Sequence, residues 1–265
     1  VLGGSTTEER DVDDNYIWTK VLEKNFTNNN KQKVLNAGLG GQTSYGHIQI
    51  FDLWFSRYEE LKPEKILVYI GINDALYMLE NITNNKSNYE GRLLNSSNRD
   101  TLIYRNSTHN YIQYIKNNSA FHLLYLIIKG NYLSRQYKIN YNTNNDYTYF
   151  PYAKKINIKE NIDLEIKNFL EYYKNNLKIL SEIANKYDSQ IIFITQTIAK
   201  DHWLNKYLSL INTATIDFCD KNFTTCIDLH NIILMNDNED FYDGIHTTPI
   251  GSKKIGDMIY KEIIN

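Results

Sequence analysis

Two runs, KILVYI at residues 65–70 and QIIFIT at 190–195, are apolar almost throughout and rich in β-branched residues. A strand with one wet face alternates apolar and polar residues. Runs this continuous belong to strands covered on both faces, as in a parallel sheet packed between helices. Shorter strand-like pieces accompany them: one ending at Leu2, one over 33–36 and one over 226–229. Helical stretches lie between. Ile17, Val21, Leu22 and Phe26 recur at helical spacing over 16–26. Ile162, Ile166, Phe169, Tyr173, Leu177, Leu180 and Ala184 line one face of a longer helix, and Ile255, Ile259 and Ile263 form a stripe over 251–264. Strand alternating with helix predicts an α/β fold, a three-layer α/β/α sandwich with a mostly parallel central sheet. In such sheets ligands sit beyond the carboxyl ends of the strands.

From 81 to 159 the pattern weakens into a stretch rich in Asn, Tyr and Ser, too long for a plain loop. It reads as an insertion after the third strand, with some helix of its own around the apolar segment 123–128, within a single domain spanning 1–265. Rooted just past Asn73 and Asp74, it is expected over or beside the crevice. Its tyrosines, among them Tyr104, Tyr111, Tyr114, Tyr125, Tyr147, Tyr149 and Tyr152, present flat apolar faces with polar tips suited to sugar rings. Compositional bias alone also supplies tyrosines. His109 and His122 are the residues of this stretch that could add chemistry.

The 265 residues carry a formal net charge of -2, which argues for neither nucleic acid nor an anionic membrane as partner. No apolar run approaches the roughly 18 residues of a membrane span. Val1-Leu2 reads as the tail of a strand already under way, so upstream residues are expected, with any signal peptide or anchor among them. The spacing of Cys219 and Cys226 is not a zinc pattern. Two small buried hydrophobes are the expectation, and a disulfide the alternative. Sequons such as those at Asn25 and Asn81 are accounted for by the abundance of Asn.

Four places carry polar residues of chemical interest, each just past a strand or before a helix. Gly3-Gly4-Ser5-Thr6-Thr7 follows the first strand. Glycines there allow a sharp turn that exposes a hydroxyl and backbone N–H groups, although Ser5 as a helix cap explains the same residues. Asn36-Ala37-Gly38-Leu39-Gly40-Gly41-Gln42-Thr43-Ser44 permits close backbone approach to a ligand, or is a plain glycine turn ahead of a capped helix. Gly71-Ile72-Asn73-Asp74 places an amide NH₂ at a strand's carboxyl end, a neutral donor suited to a developing oxyanion, or forms an Asx-type turn. In Asp243-Gly244-Ile245-His246 the carboxylate can reach one ring nitrogen while the other faces away, the arrangement of a general-base histidine. Helix-entry capping is the plain alternative, and Asp240, Asp243 and His246 as metal ligands a further one.

The joint order of these four motifs resembles the SGNH (GDSL-like) hydrolase family. The resemblance extends over nearly the whole chain apart from the insertion, and is nearest the branch reading GGSTT and then NAG-x-x-G-x-TS. It implies a serine esterase with Ser5 as nucleophile, His246 as base and Asp243 orienting it. The implied oxyanion hole is the backbone N–H of Ser5, the backbone N–H of Gly41 (with Gly38 and Gly40 as alternatives in the same loop) and the side chain of Asn73. The family's namesake motif has Asp before Ser where this chain has Gly4, a difference that bears on the loop's hydrogen bonding and not on the nucleophile. No metal or organic cofactor is implied. The implied substrates are small acyl esters, acetyl above all, on a carbohydrate. An O-acyltransferase using the same triad is the alternative, and an inactive carbohydrate-binding module on the same scaffold a more distant one. A bacterial cell-envelope or extracytoplasmic location is expected.

Overall fold

Alternate residues of the 65–70 run go to opposite sides of a sheet: Ile66 and Val68 join one buried cluster, Leu67 and Tyr69 another. That two-sided burial explains the continuous apolar run. The structure, a computed structural model, describes residues 1–29, 32–58, 60–82, 120–139 and 162–265. Its strands are β1 (Leu2–Gly3), β2 (Ala37–Gly38), β3 (Lys65–Tyr69), β4 (Gln190–Ile194) and β5 (Thr225–Ile227), all parallel, in the order β2-β1-β3-β4-β5.

The described helices are α1 (Ser5–Glu8), α2 (Trp18–Asn29), α3 (Ser44–Leu53), α4 (Ile72–Ile82), α5 (Ala120–Tyr137), α6 (Ile162–Lys186), α7 (Asn205–Asn222), α8 (Leu229–Ile232) and α9 (Pro249–Ile264). Residues of α3, α4, α6 and α7 pack on Ile66, Val68, Ile191 and Phe193 of one sheet face. Residues of α2 and α9 pack on Leu67, Tyr69, Ile192 and Ile194 of the other. The α/β/α sandwich is therefore as expected, with every strand pair parallel.

The register brings the site together. Gly3 of β1 lies opposite Gly38 of β2 and Tyr69 of β3. The segments after these three strands thus leave the sheet side by side. The order also reverses at β1, because β2 lies on one side of it and β3 on the other. That is the switch point where open α/β sheets form their crevices.

Two expectations are corrected. The strand over 33–36 falls instead at Ala37–Gly38, where the paired residues lie opposite Leu2 and Gly3. Ahead of it the chain is still bonded to Val1, whose backbone nitrogen donates to Leu35 O at 2.7 Å and whose carbonyl accepts from Ala37 N–H at 2.9 Å. Cys219 and Cys226 are joined, with S–S 2.01 Å. Phe223 caps α7 in the left-handed conformation (φ 52°) and turns the chain straight back into β5, so the helix's last turn faces the strand.

Of residues 81–159, Ala120–Tyr137 form the helix α5. Leu124, Tyr125, Ile127 and Ile128 are exposed rather than packed on the core. Beyond it Ile139 packs with Val12 and Ile17, against Tyr137 and Tyr242. Tyr104, Tyr111, Tyr114, Tyr147, Tyr149, Tyr152 and His109 lie outside the described residues, as does the side chain of His122. No described helix is long and apolar enough to cross a membrane.

Candidate active site

β1 ends at Gly3, and Gly4 serves as N-cap of α1 with φ -84°, a conformation open to any residue. Gly4 is needed for space and not for a special turn: a Cβ there would sit 2.4 Å from Nδ2 of Asn73. Ser5 is the first helical residue, not the cap. Its Oγ lies 2.8 Å from Nε2 of His246, and Nδ1 of His246 lies 2.7 Å from Oδ2 of Asp243.

The Asp243–His246 turn is braced on all sides. Oδ1 of Asp243 accepts from the backbone N–H groups of Ile245 at 2.9 Å and His246 at 2.7 Å. Asp243 therefore caps backbone with one oxygen and meets the imidazole with the other. Gly244 has φ +87° and its carbonyl accepts from Ala199 N–H at 2.8 Å. A Phe241–Thr247 bridge closes the base of the turn. Tyr242 stacks on the imidazole, ring centres 5.8 Å apart and planes 18° from parallel, and its hydroxyl donates to Oδ2 of Asp11 at 3.3 Å.

These neighbours set the charges. Burial pushes the Asp243 carboxyl up, but the charge and hydrogen bond of His246 and the two backbone donors outweigh it and hold the group below its usual range. Burial pulls the His246 imidazole down. The charge and hydrogen bond of Asp243, then the charges of Asp11 and Glu9, overcome this and raise it above its usual value. An ionised carboxylate only accepts, so Nδ1 carries the ring proton and the Nε2 lone pair faces the Ser5 hydroxyl.

Asn73 sits in the first turn of α4, not in an Asx turn. Its Nδ2 donates one hydrogen to Gln42 O at 2.7 Å, and the second has no acceptor among the described residues. In the glycine loop, Gly38 N–H donates to Asn36 Oδ1 and Gly40 N–H to Glu8 Oε2, each at 2.8 Å. Gly41 has φ +80°, and its N–H meets no acceptor among the described residues. Of the three glycines, Gly41 thus has the N–H available to a ligand.

The sequence reading missed three supporting residues. Gln196, just past β4, accepts from Ile72 N–H at 2.6 Å and donates to Thr6 Oγ1 at 2.8 Å, joining the starts of α4 and α1. The buried Glu9 accepts from Trp18 N–H at 2.6 Å and from the hydroxyls of Thr247 and Ser252 at 2.5 Å each. Asp74, also buried, accepts from Ser44 Oγ at 2.6 Å. The polar run Thr195-Gln196-Thr197 at a strand's carboxyl end was the available signal for the first. Asp240, the remaining member of the metal alternative, pairs with Lys254 Nζ at 2.7 Å. Among the described residues no cluster of three His, Cys, Asp or Glu has metal-holding geometry.

The sequence profile of the GDSL-like lipase/acylhydrolase family matches residues 1–254. The chain belongs to that family. Solved structures of its kind share the fold at low identity. One is a putative G-D-S-L lipolytic protein from Desulfitobacterium hafniense DCB-2, with 12% identity, TM-score 0.53, and 98% of this chain and 95% of that one covered. Another is the psychrotrophic esterase EstA from Pseudoalteromonas sp., with 12% identity, TM-score 0.54, and 99% and 94% covered. A third is a catalytic mutant of Axe2, an acetylxylan esterase from Geobacillus stearothermophilus, with 10% identity, TM-score 0.54, and 99% and 91% covered. No curated protein sequence matches significantly. As a GDSL-like acylhydrolase the chain is a hydrolytic enzyme.

Proposed function

We propose that the chain is a serine esterase in which Ser5 is the nucleophile, His246 the general base and Asp243 its orienting carboxylate. The observation that carries this is the continuous hydrogen-bonded line from Ser5 Oγ through both ring nitrogens of His246 to Asp243. Nε2 of His246 takes the Ser5 proton as Oγ attacks the ester carbonyl carbon. The carbonyl oxygen becomes an oxyanion facing the N–H groups of Ser5 and Gly41 and the second amide hydrogen of Asn73. Collapse expels the alkoxide, which receives the proton from His246, and leaves an acyl-Ser5 ester. Water then attacks that ester with His246 again as base, releasing the acid and restoring the hydroxyl.

The acyl group is small, acetyl above all, and the alcohol a carbohydrate. The support is the family membership and the fold shared with an acetylxylan esterase. The insertion, in which Tyr137 and Ile139 join the Val12–Ile17 cluster that Tyr242 also packs against, selects the substrate and takes no part in the chemistry. The location is extracytoplasmic, supported by the Cys219–Cys226 disulfide, since such bonds persist in oxidising compartments.

Turnover of p-nitrophenyl acetate tests the chemistry. Ser5→Ala and His246→Ala should each lose activity on the order of 10⁶-fold in kcat while the far-ultraviolet circular dichroism stays unchanged. Mass spectrometry after a fluorophosphonate should place the adduct on Ser5. A folded Ser5→Ala enzyme that keeps a tenth of wild-type turnover rejects the assignment.

A further inference from the structure

The proposed oxyanion hole depends on a loop with little in its own sequence to hold it still. Gly40 and Gly41 are adjacent and exposed, and glycine loses more conformational freedom on ordering than any other residue. Leu39 N–H donates to Gly3 O at 2.9 Å, and Nδ2 of Asn73 donates to Gln42 O, so the loop is gripped on either side of the glycine pair. Inside the pair, the grip among the described residues comes from Glu8, whose Oε2 accepts from Gly40 N–H at 2.8 Å.

Glu8 is well placed for this. It closes the one-turn helix α1 that Ser5 opens, so its backbone moves with the nucleophile. Its other oxygen, Oε1, accepts from Arg10 Nη2 at 2.6 Å and Arg10 Nε at 3.2 Å. With both oxygens engaged, the side chain is held in one geometry. The loop and α1 are also in close contact. A Cβ on Gly38 would lie 2.3 Å from Glu8 N, and one on Gly40 would lie 3.0 Å from Glu8 Oε2 and 3.9 Å from Ser5 Cβ.

We infer that Glu8 is a positioning residue of the esterase: its carboxylate holds Gly40 N–H and so aims the neighbouring Gly41 N–H at the oxyanion formed on Ser5. Glu8 touches neither substrate nor reacting atoms. It ties the spacing between the two backbone donors to α1, through the Gly40 N–H that Oε2 accepts. The inference rests on the roles proposed for Ser5 and Gly41.

Three variants, Glu8→Ala, Glu8→Asp and Glu8→Gln, test it with p-nitrophenyl acetate as substrate and phenylboronic acid as a tetrahedral-adduct inhibitor. Ala removes the acceptor, and Asp keeps the charge but is one methylene short of Gly40 N–H. Both should lower kcat by about tenfold, less than outright loss of an oxyanion donor, with KM within twofold and boronate inhibition weakened in proportion. Gln keeps the reach and an acceptor oxygen, and should recover most of kcat and of boronate affinity. If Glu8→Ala does not fold, the contrast between Asp and Gln decides by the same readouts. A folded Glu8→Asp enzyme with wild-type kcat and boronate affinity overturns the inference, as does a loss in all variants confined to melting temperature. Ser5→Ala, run alongside, separates the two ideas. If it retains activity the esterase reading fails; if it is inactive while the Glu8 variants match wild type, only the role of Glu8 fails.

Discussion

Asn73 combines a structural contact with the oxyanion role proposed for it. One amide hydrogen anchors Gln42 O, and the other is left for the crevice. Because the oxyanion exists only in the transition state, Asn73→Ala should cost roughly 10²–10³ in kcat, about 3 kcal/mol, with little change in KM. A rise in KM at constant kcat, measured on p-nitrophenyl acetate, would mark Asn73 as a ground-state binding residue instead. His246 carries a second residue-scale prediction. With neutral His246 as the proposed base, activity should be lost as pH falls through its pKa. Asp243, Asp11 and Glu9 raise that pKa, so the acid limb of kcat/KM should lie above the ordinary value of 6.5. Asp11→Asn removes one of these charges while leaving an oxygen for Tyr242, and should move the limb down. An unmoved limb would show that the Asp11 charge is not felt at the ring.

Among the elements, β5 is a short edge strand with a covalent tie. It is three residues long and pairs only with β4 among the described residues. The Cys219–Cys226 bond ties it to the end of α7 across a sequence separation of 7. Closing a loop that short removes chain entropy from the unfolded state worth roughly 2.5 kcal/mol. The Cys219→Ser, Cys226→Ser double variant should therefore unfold at lower urea concentration, by about that free energy. Its kcat should stay near wild type, because neither cysteine lies in the Ser5–His246–Asp243 line. Equal urea midpoints for oxidised wild type and the double variant would show that the bond contributes nothing. The turn at 241–247 needs no such crosslink. Its bridge, the Asp243 acceptances and the hydroxyls of Thr247 and Ser252 on Glu9 already hold it.

At the scale of the whole molecule, two buried carboxyls make stability depend on pH in the opposite sense to activity. Burial pushes Glu9 from an ordinary 4.5 up to about 7, against the pull of its three donors. Burial likewise pushes Asp74 from 3.8 up to about 7, against the pull of Ser44. A carboxyl whose pKa is raised by folding favours the folded state fully below its unfolded pKa. That contribution is lost as pH rises through the folded value. Unfolding free energy should accordingly fall between about pH 4.5 and 7, by a few kcal/mol in all, while the fraction of neutral His246 grows. Urea denaturation at pH 5 and pH 8 checks this, and a stability that rises across the window would mean that both carboxyls are ionised without penalty in the folded protein.

The sequence by itself determined the layered α/β architecture, because runs such as KILVYI can be satisfied only between two helical layers, and period-3.6 stripes such as Ile162 to Ala184 supply those layers. It also singled out Ser5, Asn73, Asp243 and His246, since each is a polar residue of distinctive chemistry placed where a strand ends or a helix begins. What it left open depended on long-range register. Asn36, two residues back, takes Gly38 N–H locally, but it is Glu8, 32 residues away, that takes Gly40 N–H and leaves Gly41 N–H without an acceptor among the described residues. The roles of Gln196 and Glu9 were not legible because their partners, Ile72 and Thr247, lie 124 and 238 residues away; the polar run at 195–197 marks a place for Gln196 but not what it bonds. Periodicity and turn chemistry are local and can be read along the chain. The acceptor that a given N–H finds is set by packing between segments, and only the tertiary structure decides it.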